Sequence, residues 1–266
     1  MAIPKIIHYC WFGRGEMPED YKRYIESWKK YCPDYEIKEW NEDNFDVNCN
    51  EYVKQAYEAR KFAFVSDYAR VCALYTDGGI YMDTDVELLK SLDGFLDNMA
   101  FGCFESNNHV STGFLASQKQ GEWIGEIIRL YDGLKFIKED GSYDVTTNVE
   151  RITELTVNKY GLVLGNTCQD LGVVKIFTND YFSTKDWDTG IINKTENSHA
   201  VHHFAGSWHS EKEKKEAERY RKKLQKYIDK YGEEKGRIKM LKSESAKFYL
   251  THPHKIFKKL ITGKRD

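Results

Sequence analysis

Residues 78–87 read GGIYMDTDVE, a short apolar run that opens on two glycines and ends in carboxylates at Asp83 and Asp85. On an extended strand successive side chains alternate. The two acids would then share one side, with Tyr81 behind them and Thr84 facing away. Two carboxylates this close repel, so the pair calls for a positive charge between or in front of it, most simply a divalent cation. The plain alternative is a solvated pair at a strand end. A second constellation lies just upstream: Asp67 and Arg70 stand three apart in an otherwise apolar stretch that includes Phe64, Val65, Tyr68, Ala69 and Val71. At a surface they would be an ordinary i, i+3 ion pair worth a few tenths of a kcal/mol. Among apolar neighbours, burying the charges costs more than that pair returns, which favours a polar ligand as the further partner.

Several chemistries fail on spacing. A calcium loop counted from Asp83 needs Gly at position 6 and Glu at position 12, where this chain has Leu88 and Gly94. An aspartyl phosphatase also places an Asp-x-Asp after an apolar strand. Its usual Thr or Val two places beyond the second Asp is Glu87 here. The glycines at 13–15 lack the third glycine of a dinucleotide fingerprint, and there is no G-x-S-x-G elbow.

The elements that must position these residues alternate between helix and strand. Ile3 to Phe12 reads as a buried first strand closed by Gly13 and Gly15, Met17 to Lys30 as a helix, and Tyr35 to Trp40 as a second strand. Residues 51–75 read as one or two helices, with Val65, Ala69, Cys72 and Tyr75 at helical spacing, ending at Gly78-Gly79. The DTD stretch is then the next strand. Strands are expected at 99–105, 111–117, 173–177 and 199–204, and helices at 121–131 and near 149–160. This pattern predicts a mixed α/β sheet flanked by helices, with ligands at the strand ends.

From residue 210 onward Leu224, Tyr227, Ile228 and Tyr231 mark a long amphipathic helix in a charged background. Residues 211–266 hold 19 Lys and Arg against 9 Asp and Glu, whereas residues 1–210 hold 21 against 33. The expected organisation is therefore an acidic catalytic domain over 1–210 and a basic helical C-terminal extension over 211–266, which either meets something anionic, a membrane phospholipid or an anionic substrate, or is simply a solvated Lys-rich helix. The six cysteines are scattered without a CxxC pair, which fits reduced thiols rather than a zinc or disulfide framework. No 18-residue apolar run exists, and the opening residues have neither a basic n-region nor a cleavage site. The expectation is a cytoplasmic protein.

Four blocks together, IPKIIHYCWFG (3–13), WKKYCPDYEIKEWNE (28–42), AFVSDYARVCALYTDGGIYMDTDVELLKSLD (63–93) and HHFAGSW (202–208), resemble the DXD-containing glycosyltransferase family 32. That family includes capsular-polysaccharide transferases and fungal outer-chain mannosyltransferases, and is similar in its core to glucosylating toxin domains. The resemblance implies a GT-A type nucleotide-sugar transferase fold and transfer of a sugar, with retention, from a nucleotide sugar to a glycan or lipid-linked acceptor in surface or capsular polysaccharide synthesis. UDP is the favoured base, and Mn²⁺ or Mg²⁺ the implied cofactor. No nucleic-acid partner is expected.

Residue by residue, the resemblance makes Asp85 a direct metal ligand and gives Asp83 a contact to the ribose or, through water, to the metal. His203 is the expected third ligand, with His202 its nearest competitor, since only one of two adjacent strand residues can face the site. Ser66, Asp67 and Arg70 are expected on the donor sugar and sugar phosphate. Trp11 is expected on the base, and Ser207 and Trp208 over the diphosphate. Tyr9 and Tyr81 join the donor candidates, although Tyr9, like His8, reads first as core. Thr112 and Gly113 are expected near the sugar. Glu105 and Asp170 are the carboxylates available as a nucleophile, with front-face attack preferred. The mixed Lys and apolar segment 247–266 suits the inner face of an anionic membrane, the alternative being a tail docked against the core or a partner chain. Two rivals are a non-catalytic nucleotide-sugar scaffold and the DxD phosphatase.

Overall fold

A computed structural model of the chain describes residues 2–206, 211–232, 235–240 and 242–243. The chain forms two compact units, Met1–Trp187 with Ile191–Trp208, and Asp188–Gly190 with His209–Asp266. In the first, the elements run β1 (Ile6–Cys10), α1 (Glu19–Tyr31), β2 (Glu36–Trp40), α2 (Glu51–Glu58), α3 (Phe62–Asp77), β3 (Gly79–Met82), β4 (Val86–Leu88), β5 (Ala100–Ser106), β6 (His109–Ser117), α4 (Glu122–Arg129), α5 (Asn148–Tyr160), β7 (Gln169–Asp170), β8 (Lys175–Phe177), α6 (Asn179–Phe182) and β9 (Ala200–His202). The second carries α7 (Glu211–Tyr231). No helix among the described residues is long and apolar enough to cross a membrane.

The sheet is mixed, as the alternation predicts. Its seven strands lie in the order β2-β1-β3-β6-β5-β8-β7, and β4 and β9 form a separate antiparallel ribbon. β1 runs parallel to β2 and β3, whereas β3 and β5 both run antiparallel to β6. Strand alternation divides the core between the two faces. Tyr81 and Leu115 point into one cluster with Val65, Ala69 and Leu74 of α3. Their neighbours Ile80, Met82, Phe114 and Ala116 point into the other, with Ile25 and Trp28 of α1. Apolar burial of this kind contributes about 25 cal/mol per Å².

Two junctions place the site. α3 passes directly into β3 through Gly78 and Gly79, both at positive φ. A Cβ on Gly79 would sit 2.6 Å from the Ile6 carbonyl oxygen, so only glycine lets β3 lie this close to β1. His8 is fully buried in the same place. Its Nδ1 accepts from Trp40 Nε1 at 3.0 Å and its Nε2 donates to the Gly78 carbonyl at 2.7 Å, so it is a core histidine, as its position in the first strand suggests.

The second junction corrects the strand reading of DTD. β3 stops at Met82, and Asp83–Val86 is a turn closed by Val86 N–H donating to the Asp83 carbonyl at 3.0 Å. The Asp83 N–H still pairs with the Gly113 carbonyl at 2.9 Å, after which the chain leaves the sheet to form β4. The two carboxylates are therefore brought together by a turn and not by strand alternation. The short elements β7 and α6 lie outside the expected pattern.

Candidate active site

β1 and β3 are parallel, so the residues after both strands emerge at one edge of the sheet. There the turn presents Asp83 and Asp85, and β9, paired antiparallel with β4, brings His202 opposite Val86. His202 Nε2 lies 3.3 Å from Asp85 Oδ1 and 3.8 Å from Asp83 Oδ2. One ligand atom from each of the three residues falls within 4.8 Å of the others. Two carboxylate oxygens and an imidazole nitrogen suit a hard or borderline divalent ion such as Mg²⁺ or Mn²⁺. Gly113 leaves the room for this grouping. A Cβ there would come within 2.5 Å of His202 Cε1 and 2.9 Å of Asp83 Oδ2.

The electrostatics are those of a site with closely placed charges. Burial alone would raise the Asp85 carboxyl, but the adjoining His202 ring and the Ala205 N–H, donating to Oδ2 at 2.7 Å, hold it below the usual carboxylate range. Burial opposes charge on His202, and Asp85, Asp83 and Glu105 outweigh it, so the imidazole is raised. The raised imidazole lies beside both carboxylates of the pair.

α3 supplies a second positive charge from below. Arg70 Nη2 pairs with Asp67 Oδ1 at 2.9 Å and Nη1 with Asp83 Oδ1 at 3.3 Å. Nη1 also donates to the Thr112 carbonyl at 2.7 Å, Nε donates to the Ser66 carbonyl at 3.2 Å, and the guanidinium lies 4.6 Å from the Tyr81 ring centre. Tyr81 in turn donates its hydroxyl to Asp83 Oδ1 at 2.8 Å. Arg70 is thus largely occupied in orienting Asp67 and Asp83. Burial, with the nearby Asp83 charge, pushes the Asp67 carboxyl up to about 6, against the pull of Arg70. The Ser66 hydroxyl turns back to its own helix, donating to the Phe62 carbonyl at 3.1 Å.

Trp11 stands beyond the end of β1, edge-on to Tyr21 with ring centres 5.9 Å apart. The Tyr21 phenol is pushed up to about 12, first by burial and then by the Asp85 charge. Trp11 and Tyr9 line an open cavity of about 330 Å³ with Lys22, Glu26 and Glu39, and the Tyr9 hydroxyl donates to Glu39 Oε2 at 2.6 Å. Tyr9 is buried at its base, so it is both core and cavity wall.

The histidine assignment needs correction. His203 points away from the aspartates: its Nε2 meets Glu87 Oε2 at 2.9 Å and its ring stacks on Tyr24 with centres 4.4 Å apart. β9 ends at His202, and the β4 register turns that side chain toward the turn. Of the carboxylates considered as nucleophiles, Glu105 sits half-buried at the end of β5 near Asp83 and His202, and burial raises its carboxyl. Asp170 lies exposed on the edge strand β7, away from the site. Ser207 and Trp208 lie outside the described residues.

Three contributors carry no signal in the sequence. Asn148, at the start of α5, accepts from the Thr112 hydroxyl at 2.8 Å and has a buried Nδ2 without a partner among the described residues. Arg151, one turn on, lies close enough to influence Asp67. Ala205 acts only through its backbone. Helical spacing puts Asn148 and Arg151 on one face, but nothing local ties that face to β6.

Residues 18–102 match the family model of the glycosyltransferase sugar-binding region containing a DXD motif. The match takes in Asp67, Arg70 and the DTD turn and covers about a third of the chain. Over 132 residues the chain is 29% identical to inositol phosphoceramide mannosyltransferase 3 of Schizosaccharomyces pombe, covering 48% of this chain and 37% of that one. Over 119 residues it is 31% identical to an uncharacterized glycosyltransferase of Acanthamoeba polyphaga mimivirus, covering 42% and 47%. The chain spans less than half the length of these curated relatives. Among solved structures, the PaToxG glycosyltransferase aligns with a TM-score of 0.45 at 19% identity, over 60% of this chain and 70% of that one. A glycosyltransferase involved in glycosylating a viral major capsid aligns at 0.42 and 14% identity, over 81% and 100%. The matched region and the relatives are thus those of glycosyltransferases.

Proposed function

We propose that the chain is a metal-dependent glycosyltransferase of GT-A type that moves a sugar, with retention, from a nucleotide sugar to a glycan or lipid-linked acceptor in surface polysaccharide assembly. The observation that carries this reading is the convergence of Asp83, Asp85 and His202 within 4.8 Å at a turn inside a matched DXD region. These three residues would hold Mn²⁺ or Mg²⁺, which supplies neutralisation of the charge developing on a diphosphate leaving group. Arg70 fixes Asp83 and Asp67, and Asp67 offers an acceptor to a donor-sugar hydroxyl. Trp11 offers a stacking face to the base, for which uracil is the first choice. In front-face attack the bond from the anomeric carbon to the acceptor oxygen forms as the bond to phosphate breaks, and the acceptor's proton passes to the departing phosphate. Segment 247–266, outside the described residues, would hold the protein at the inner face of an anionic membrane.

The test is thermal stability with UDP, GDP or CDP, each with Mn²⁺ and with EDTA, for the wild-type chain and Asp85→Ala. One nucleotide should raise the melting temperature only with Mn²⁺ and only when Asp85 is present. At about 100 times its Kd the added stability is about 2.7 kcal/mol. No response to any nucleotide would overturn the proposal. Metal-independent binding would favour the scaffold, and phosphate release from sugar phosphates the phosphatase.

A further inference from the structure

We propose that Glu87, acting through His203, is a positioning residue that holds the backbone belt around Asp85 and so sets metal affinity; this rests on the metal-site reading above. The belt is residues 203–205. The His203 N–H donates to the Asp85 carbonyl at 2.9 Å, and the Ala205 N–H donates to Asp85 Oδ2 at 2.7 Å. Between them Phe204 has φ of 52°, a left-handed conformation that a non-glycine residue holds only when its surroundings impose it. Phe204 also packs on His202, with ring centres 4.1 Å apart, so a shift in the belt reaches the ligand ring itself.

His203 is held on three sides. Its ring stacks on Tyr24 at an interplanar angle of 12°, its Nε2 meets Glu87 Oε2 at 2.9 Å, and its carbonyl accepts from Lys185 Nζ at 2.6 Å. Tyr24 belongs to α1, which is tied to β4 by Trp28 Nε1 donating to the Val86 carbonyl at 2.7 Å. Glu87 lies on β4, so the carboxylate–imidazole contact links the strand that follows Asp85 to the segment that caps Asp85. With the belt in place, Oδ2 is engaged by a backbone donor and Oδ1 faces His202. Without it, the Ala205 donor and the His202 ring lose their common support.

The experiment measures Mn²⁺ binding to the full chain, from the electron paramagnetic resonance signal of free Mn²⁺, with the ion alone and with UDP or GDP added. Melting temperatures are recorded in parallel. Wild-type protein should bind saturably and Asp85→Ala should not. Glu87→Ala should weaken binding about tenfold or more at an unchanged melting temperature, the size expected when a group supporting a metal ligand is lost. Glu87→Gln should recover most of the affinity, because its amide oxygen can still accept from His203. Wild-type affinity in Glu87→Ala, with binding lost in Asp85→Ala, overturns the positioning role and leaves the metal site standing. Equal loss in both Glu87 variants with a lowered melting temperature also overturns it, as a general structural effect. No binding by the wild-type chain overturns the metal-site reading together with this one.

Discussion

Two ion pairs at the same i, i+3 spacing meet opposite fates. On α1, Asp20 and Arg23 pair with side chains that remain 65% and 72% exposed. On α3, Asp67 and Arg70 pair at 2.9 Å with side chains only 13% and 6% exposed. α1 has one apolar stripe, with Ile25 and Trp28 buried, and leaves its charges to water. α3 is covered over much of its length, burying Val65, Ala69, Val71, Ala73 and Leu74, so its pair has little water to fall back on. Arg70 compensates by adding Asp83, two backbone carbonyls and the Tyr81 ring. Spacing creates a pair; what covers the helix decides whether the pair can be tied to a site.

The strongest challenge to this contrast is Arg70→Met. Removing the guanidinium leaves Asp67 and Asp83 without their shared cation, and breaking a buried pair in this way costs about 3–5 kcal/mol. Urea denaturation should show that loss, and the metal-dependent nucleotide response should disappear with it. Arg70→Lys keeps the charge but cannot reproduce the multiple directed bonds, so it should fall between the two. Wild-type stability in Arg70→Met would mean that the α3 pair is no more consequential than the one on α1.

The next effect is a pH dependence. The Asp67 carboxyl is moved by burial from 3.8 to about 6. Between those values the native chain holds a proton there that the unfolded chain has released, so stability falls as pH rises from about 4 to about 6. The contribution is at most about 3 kcal/mol. Asp67→Asn should flatten that part of the stability profile in urea titrations at stepped pH. Asp85 and His202 act elsewhere: the lowered carboxyl contributes stability that is lost as pH falls from about 4 to about 2, and the raised imidazole contributes stability that is lost as pH rises from about 6.5 to about 9. An unchanged slope between pH 4 and 6 in Asp67→Asn would show that Arg70 outweighs burial.

The same contrast explains what the sequence could and could not disclose. The alternation of helices and strands, the glycine junction before β3, and the choice of Asp67, Arg70, Asp83 and Asp85 as candidates all rest on local pattern, and the structure gathers these four residues around one guanidinium and one turn. His202 against His203 was not decided locally. β9 is three residues long, and only its pairing of His202 with Val86 fixes which side chain faces inward. DTD as a turn was equally hidden, because a strand and a turn can both place acids two apart. Asn148 enters through a hydrogen bond spanning 36 positions, which no spacing rule reaches.

The smallest expected effect is on α1. Asp20→Ala and Arg23→Ala remove an exposed pair whose Coulomb gain is screened by water and offset by side-chain ordering, so neither should move the denaturation midpoint beyond measurement error. In a double-mutant cycle the coupling energy should be close to zero and should vanish in high salt. The matching cycle on Asp67 and Arg70 should keep a large coupling in the same salt, because ions do not reach a pair this deeply covered. Equal salt sensitivity in the two cycles would contradict the burial argument directly. It would imply that the α3 pair opens to solvent, and Asp67 would then have no reason to hold a proton near pH 6.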